Sequence, residues 1–584
     1  MIKLSIIKKV EEIIKKHIEN AGYEVDKVIL VPSSRKELGE YQVNNSFALA
    51  KTYHTSPIEI ANKIKEELDK DSNFVGVNVA GGFVNISFSN SFYLENINLI
   101  LDNLDNNIDK EQEKLIFMDY GGANIAKTLH VGHLRPADIG EAVKRLAIKL
   151  GYKVISDVHF GDIGRQSGMV IYEIKERFPE LNYFKDNWSG EGDPLPITVE
   201  DLQEIYPIAT TKAKENEDVM EEVRKITSEL ENGDPAYNDL WNKIKELSIK
   251  DIKGIYDILN TTFDLYEGET DCYPYIPEFI EILKNKNLLY ESEGAMVVDV
   301  KEDTDTEPMP PLVILKGNGG TVYQTRDLAT ILSRMQRFNP DEIWYFTDNR
   351  QELYFKQVFR VAKKAEIVKP ETELKFFGFG SMNGPDGKPF KTRDGGVMSL
   401  HELIKMVKEI TASKISVDLV KEENREETSK QIAIAALKYA DLLPDRSKDF
   451  IFDVNKFADL EGKTGPYILY STVRINSLLE KANININQLK LKEISNEESF
   501  KDVLKTVLEI PLVLTKALQD KSLNGICDYL YRLTSAYNHF YATNHILTCE
   551  NKDLKETYLA LSKLIYNINT TLLDILAIEL PEKM

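Results

Sequence analysis

The stretch KTLHVGHLRP at 127–136 sets His130 and His133 three apart with Gly132 between them, in a chain with only eight histidines. It follows the apolar run KLIFMDY (114–120) by a few residues. If a helix begins between Val131 and His133, Pro136 falls in its first turn, where a missing N–H costs little. The histidines then sit at a helix N-terminus, whose unpaired N–H groups and partial positive charge suit a phosphate. Two imidazoles there can donate hydrogen bonds to phosphate oxygens as negative charge builds in a transition state, and Gly132 leaves room for a flat purine. The pair therefore reads as a nucleotide site, with a helix cap or surface histidine as the plainer alternative for either residue alone. Other motifs fail. EGKTGP (461–466) contains Gly-Lys-Thr, but a P-loop needs glycine where Phe457 stands; G-x-G-x-x-G is absent after the first strand; and His401 and Glu402 lack the second histidine of a zincin.

The elements that hold the pair are legible in outline. KLIFMDY reads as a strand, and the helix that follows carries Ile139, Val143, Leu146, Ala147 and Leu150 on one face and stops at Gly151. YKVISDVHF (152–160) is the next strand. Strand, helix and strand over about 45 residues make a βαβ unit with a parallel pair. Before it, residues 1–110 read as a small α/β unit: a helix over about 3–20, two further helical patterns, and the alternating VNVAGGFVNISFS. LDNLDNNIDKEQEK (101–114) is a plausible linker. Residues from about 170 to 310 turn charged and helical and read as an insertion. The α/β pattern returns with MVVDV, PLVILKG, DEIWYFT and ELKFFGFG. From Ser399, with Glu402 in a capping-box spacing, almost everything is helical.

Composition bounds what such a site can serve. A chain of 584 residues exceeds one core, and 42% hydrophobic residues along its length argue for folded domains throughout. No run approaches about 18 apolar residues, and the charged, helical N-terminus is unlike a secretory signal, so a cytoplasmic protein without membrane contact is expected. Cys272, Cys527 and Cys549 form no CxxC pair, so no protein-held metal and no disulfide framework is expected. The net charge of −21 argues against coating nucleic acid indiscriminately, while local basic patches could still take one folded RNA.

The segment DYGGANIAKTLHVGHLR (119–135) resembles the arginyl-tRNA synthetases, class I enzymes whose HIGH element stands here as His-Val-Gly-His. The likeness runs in order through GEYQVN, GGFVNI, HFGDIGRQSGM (159–169), YQTRDL (323–328), GKPFKTRDGG (387–396), EGKTGPYILYSTVRI (461–475), YNHFY (537–541) and the terminal LPEKM. It implies a Rossmann-like parallel-sheet catalytic domain (111–398) with a helical insertion, a small α/β N-terminal domain (1–110) touching the outer corner of tRNA, and an all-α anticodon-binding bundle (399–584). It implies activation of L-arginine by ATP, with Mg2+, to arginyl-adenylate, then transfer to the terminal adenosine of tRNA(Arg), in a monomer that often needs bound tRNA for the first step. His130 and His133 would hold the phosphates, Gly132 the adenine, and Lys127 would approach the phosphates. GKPFKTRDGG takes the place of KMSKS, so Lys388, Lys391 and Arg393 would meet leaving pyrophosphate. Arginine would be held by Asp119, Asn124, Tyr323, Asp327 and Gln351, a carboxylate fork suiting a planar guanidinium. Tyr467, Tyr470, Arg474, Tyr537 and Tyr541 would meet tRNA by stacking and phosphate contact. Gly122-Ala123, GDIGRQ and Pro136-Ala137 depart from frequent family patterns, which bears on backbone geometry around the amino-acid pocket.

Two other classes fit parts of the pattern. A nucleotidyltransferase or cysteine-specific relative would keep the histidine pair, but lacks a use for the helical tail or requires zinc ligands. An RNA-binding paralogue would have lost its chemistry, against which the intact His130, His133, Lys391 and Asp327 speak.

Overall fold

The computed structural model describes every residue except 1–4, 34, 36, 111–113, 186–187, 189, 389, 391–397 and 414–419. The first helix runs Ile6–Asn20, capped by the Ser5 hydroxyl, which accepts the Lys8 N–H. Its Ile6, Val10, Ile14 and Ile18, spaced by four, are buried. It packs on the helix Pro57–Leu68, which in turn lies on an antiparallel sheet of β1 (Leu30–Pro32), β2 (Tyr41–Val43), β3 (Phe74–Ala80) and β4 (Phe83–Phe88), ordered β1-β2-β4-β3. The alternating VNVAGGFVNISFS is the β3–β4 hairpin. Its two-residue turn needs positive φ at both positions, supplied by Gly81 and Gly82 at 60° and 95°.

The βαβ unit stands as expected. β5 (Leu115–Asp119) and β6 (Lys153–Asp157) pair in parallel from Leu115 against Lys153 to Asp119 against Asp157. A short 3-10 turn, Val131–His133, opens the connecting helix Leu134–Lys149. Gly140 on this helix lies against Tyr120, into whose ring any Cβ would run, so strand end and helix approach closely.

Beyond β6 the helix Arg165–Arg177 leads to the insertion helices Val199–Glu215, Glu217–Glu231 and Pro235–Ile258. The span 170–310 is not wholly an insertion, however. The chain returns to the sheet at Leu265–Gly268, where Asp157 bridges Leu265 and Phe160 bridges Gly268 in parallel. MVVDV and PLVILKG also depart from expectation. β7 (Leu289–Ser292), β8 (Ala295–Val298) and β9 (Leu312–Leu315) form a separate antiparallel sheet, since no crossover helix joins them. The parallel sheet resumes after the helix Tyr323–Phe338 with β10 (Glu342–Asp348) and β11 (Glu373–Phe379), giving the order β11-β10-β5-β6.

Ser399 and Glu402 form the expected capping box of the helix Leu400–Ala412. Helices Glu422–Leu442, Gly465–Lys481, Asn524–Thr543 and Lys552–Ile575 make up much of the C-terminal bundle. One segment runs back to the parallel-sheet part: β12 (Met382–Asn383) pairs in parallel with β13 (Phe450–Ile451). The helix Leu134–Lys149 is wedged among the sheet, Glu422–Leu442 and Lys552–Ile575. Its buried charges have partners there: Arg135 Nε lies 2.9 Å from Asp441 Oδ1, and Lys438 Nζ 3.0 Å from Asp138 Oδ1. Among the described residues no helix is long and apolar enough to cross a membrane.

Candidate active site

A cavity of about 580 Å³ opens at the C-terminal ends of the parallel strands, where open α/β sheets bind ligands. His130 and His133 form one edge. The His130 N–H donates to His133 Nδ1 at 3.0 Å, and the Gly132 N–H donates to His130 Nδ1 at 3.1 Å. Both Nδ1 atoms are thus acceptors, which leaves the neutral tautomer with its proton on Nε2 in each ring. The rings stand with centroids 4.0 Å apart. Burial and the neighbouring Lys127 charge lower the His130 pKa. Burial, followed by His130 and Lys127, pushes His133 down to about 3. The edge therefore offers two neutral N–H donors, the role proposed from the bare spacing.

Another part of the lining is acidic. Asp119, at the end of β5, accepts from Arg334 Nη2 at 2.7 Å, and the same nitrogen donates to Asp157 Oδ2 at 2.9 Å. Arg334 is buried, and although burial opposes its charge, Asp119, Tyr345 and Asp157 hold that charge firmly. Asp327 accepts from the Tyr354 hydroxyl. Burial raises the Asp327 pKa, more than Tyr354 lowers it. Glu269 carries Arg326 at 2.7 Å, and burial again raises its pKa. Asn124 stands beside Gly161, to which its segment is bridged in parallel: the Ile125 N–H donates to Gly161 O at 3.0 Å, and the Gly161 N–H to Ala123 O at 3.1 Å. A side chain at Gly161 would collide with the Asn124 amide. Gln351 lines the cavity from the 3-10 turn after β10.

The structure thus brings together His130, Gly132, His133, Asp119, Asn124, Asp327 and Gln351 around one space. Three expected residues stand apart. Lys127 is turned away, its Nζ over the Tyr206 ring at 4.7 Å on the helix Val199–Glu215. Tyr323, at the first turn of its helix, is 61% exposed and stacks under Arg326 at 4.7 Å, so of the i, i+4 pair only Asp327 lines the cavity. Lys388 is exposed, with its N–H on Asp386 Oδ1 at 3.1 Å. Lys391 and Arg393 lie outside the described residues. Sequence reasoning missed Asp157, His159, Glu269 and Arg334, which meet only through tertiary packing. The one available signal was His159 itself, a scarce histidine closing a strand.

On the bundle, Tyr467, Tyr470, Arg474 and Tyr541 share a patch between Gly465–Lys481 and Asn524–Thr543. The Arg474 guanidinium lies 5.9 Å from the Tyr470 ring and 4.9 Å from Tyr541, and donates to Asn538 Oδ1 at 2.6 Å. The Tyr467 hydroxyl accepts from Asn538 Nδ2 at 2.9 Å. Tyr537 corrects the expectation: it is 0% exposed and its hydroxyl donates to Ser562 Oγ at 2.8 Å, so it has no face to offer a base.

A family model described as tRNA synthetases class I (R), catalytic domain, matches residues 96–454. The Arginyl tRNA synthetase N terminal domain matches 8–88, and the DALR anticodon binding domain 468–584. The chain is 41% identical over 594 aligned positions to an arginine–tRNA ligase of Agathobacter rectalis, covering 99% of this chain and 100% of that one. It is 40% identical over 584 positions to that of Alkaliphilus oremlandii, with 99% and 100% covered. Two solved arginyl-tRNA synthetases share the fold: that of Plasmodium falciparum, with a TM-score of 0.82 at 23% identity over 100% of both chains, and that of Thermus thermophilus, with 0.81 at 19% over 99% and 100%.

Proposed function

The chain belongs to the class I arginyl-tRNA synthetases, and from that premise we propose how its cavity serves an arginine–tRNA ligase with ATP as substrate. L-Arginine enters with its guanidinium toward Asp327 and Asp119 and its amino group at Asn124, Gln351 standing alongside. ATP lies along the histidine edge with adenine over Gly132. A carboxylate oxygen of arginine attacks the α-phosphorus in line; the bond from that phosphorus to the bridging oxygen breaks, and pyrophosphate leaves. The 2′-hydroxyl of the terminal adenosine of tRNA(Arg) then attacks the arginyl carbonyl, releasing AMP. Such transfers ask for positioning and charge stabilisation, not a covalent residue. The Nε2–H groups of His130 and His133 donate to phosphate oxygens as their charge grows, and Lys388, Lys391 and Arg393 offset the leaving pyrophosphate.

Mg2+ would arrive on the triphosphate. The fit is to an ion held by phosphate oxygens and water, because Asp119 and Asp157 are engaged by Arg334 and Asp327 by Tyr354. Its charge would add to that of the cationic loop, and no step of this chain's own groups depends on it.

The observation that supports this assignment most is that one cavity is lined by two neutral Nε2–H imidazoles and by carboxylates. Charging total tRNA with each of the twenty amino acids tests it. Arginine alone is expected to be esterified, and ATP–pyrophosphate exchange should appear with arginine once tRNA(Arg) is present. Esterification of another amino acid would overturn the assignment.

A further inference from the structure

His159 closes the strand β6 segment with φ at 42°, the left-handed region that side-chain-bearing residues rarely adopt. The conformation is pinned: the His159 N–H donates to Asp157 Oδ1 at 3.2 Å, and the Phe160 N–H to Glu267 O at 2.7 Å. The ring lines the cavity, yet both of its nitrogens are buried and make no hydrogen bond among the described residues. Nδ1 lies 3.5 Å from Asp157 Oδ2. An imidazole whose nitrogens are buried without a hydrogen bond, with only this longer ion pair to Asp157, and whose backbone is held in an unfavourable conformation needs a reason.

Its charged neighbours supply one. Asp157 and Asp119 face it from the adjacent strands β6 and β5, Asp327 and Arg334 from the helix Tyr323–Phe338, and Glu269 from the 3-10 turn Glu269–Tyr275. Arg326 is taken up by Glu269, so among the described residues Arg334 is the buried fixed cation of this wall, in contact with Asp119 and Asp157 and acting on Asp327 from a distance. Excess negative charge in a low-dielectric wall is costly, and a proton on His159 reduces it. An incoming guanidinium brings the same charge to the same wall. Two cations crowded into this space repel, and unlike the guanidinium the imidazole can shed its charge.

We infer that His159 is the placeholder for the substrate: in the empty cavity its imidazolium balances the acidic wall, and arginine binds as that proton passes to solvent. The inference rests on the assignment of the cavity to arginine. Consistent with it, burial opposes the charge on His159, but the contacts with Asp157 and Asp119 outweigh burial and bring its pKa up to about 9. The exchange makes arginine affinity pH-dependent and tells a cation from its uncharged isostere, because only the cation expels the proton.

Calorimetric titration of the full chain with L-arginine, in two buffers of different ionisation heat and with tRNA(Arg) present, tests it. Close to one proton should leave per arginine bound at about pH 8, above the range of the carboxyls. The apparent Kd should fall about tenfold per pH unit from about pH 6 to about pH 8, as linkage of one proton requires. His159→Asn, which tolerates the left-handed backbone, should bind arginine with a flat pH profile and no proton released. L-Citrulline, shaped like arginine but uncharged, should bind the wild-type chain without releasing a proton, which decides the matter should the variant not fold. Arginine binding without proton release, release unchanged in His159→Asn, or equal release by citrulline would overturn the inference alone. Failure of arginine to bind at all would overturn the assignment beneath it.

Discussion

His133 uses its two ring nitrogens for different ends. Nδ1 accepts the His130 N–H at 3.0 Å and so fixes the ring, while Nε2–H is left to donate. His133→Asn cannot do both from its shorter side chain. ATP–pyrophosphate exchange should fall about 10²–10³-fold, the usual cost of losing one donor to developing charge. Arginine affinity, read by equilibrium dialysis, should hold; a parallel loss there would mean the ring shapes the amino-acid pocket instead. A pH effect follows from the same burial. The folded-state pKa of His133, about 3, lies below its unfolded value of 6.5, so the unfolded chain takes up this proton first as pH falls. The contribution is intact above about pH 6.5 and erodes down to about pH 3. Melting temperatures measured from about pH 7 to about pH 4 should drop more for the wild type than for His133→Asn. The spacing of His130, Gly132 and His133 announced this edge from sequence, because helix start, cap and donor lie within four residues. The wall did not announce itself: Arg334, Asp157 and Glu269 meet only when strands, a helix and a turn distant in sequence converge.

The helix Leu134–Lys149 carries this edge, and its stability sets how firmly the donors point. Its apolar stripe of Ile139, Val143, Leu146 and Ala147 was readable, but burial extends round the helix to Arg135, Asp138, Glu141 and Lys144. Periodicity could not show this, since Asp441 and Lys438 belong to Glu422–Leu442, far along the chain. The same limit explains Leu265–Gly268, too short to read as a strand until β6 is there to pair with it. Arg135 also donates to Gly380 O at 2.8 Å and Lys448 O at 2.9 Å, tying the end of β11 to the segment before β13. Lys438→Met would leave Asp138 buried without its cation. A loss of about 3–5 kcal/mol is expected on urea denaturation, because removing one partner of a buried pair strands the other charge. Adding Asp138→Leu should restore most of it, and a double variant as weak as the single would show that the loss came from packing.

The whole chain carries a net charge of −21, so an acidic partner as large as tRNA must be met at local patches. We propose the cluster of Tyr467, Tyr470, Arg474 and Tyr541 as such a patch: aromatic faces beside a guanidinium, with Tyr470 40% exposed. Tyr537 shows why spacing alone overreached. It is four residues from Tyr541 on one helix, yet the Lys552–Ile575 helix covers it through Ser562, while Tyr541 stays at the surface side near Arg474. Tyr470 and Tyr537 should therefore fail differently. Tyr470→Ala removes an exposed stacking face and should raise the KM for tRNA(Arg) about tenfold, within the range of one base–aromatic contact, with no change in melting temperature. Arg474→Ala should do likewise and lower the salt slope of tRNA binding by about one phosphate's worth. Tyr537→Phe deletes only a buried hydroxyl, so it should cost about 1 kcal/mol of stability and leave the KM for tRNA(Arg) where it was. If Tyr537→Phe weakens tRNA binding and Tyr470→Ala does not, the RNA approaches the bundle from another side, and the aromatic patch is packing that happens to reach the surface.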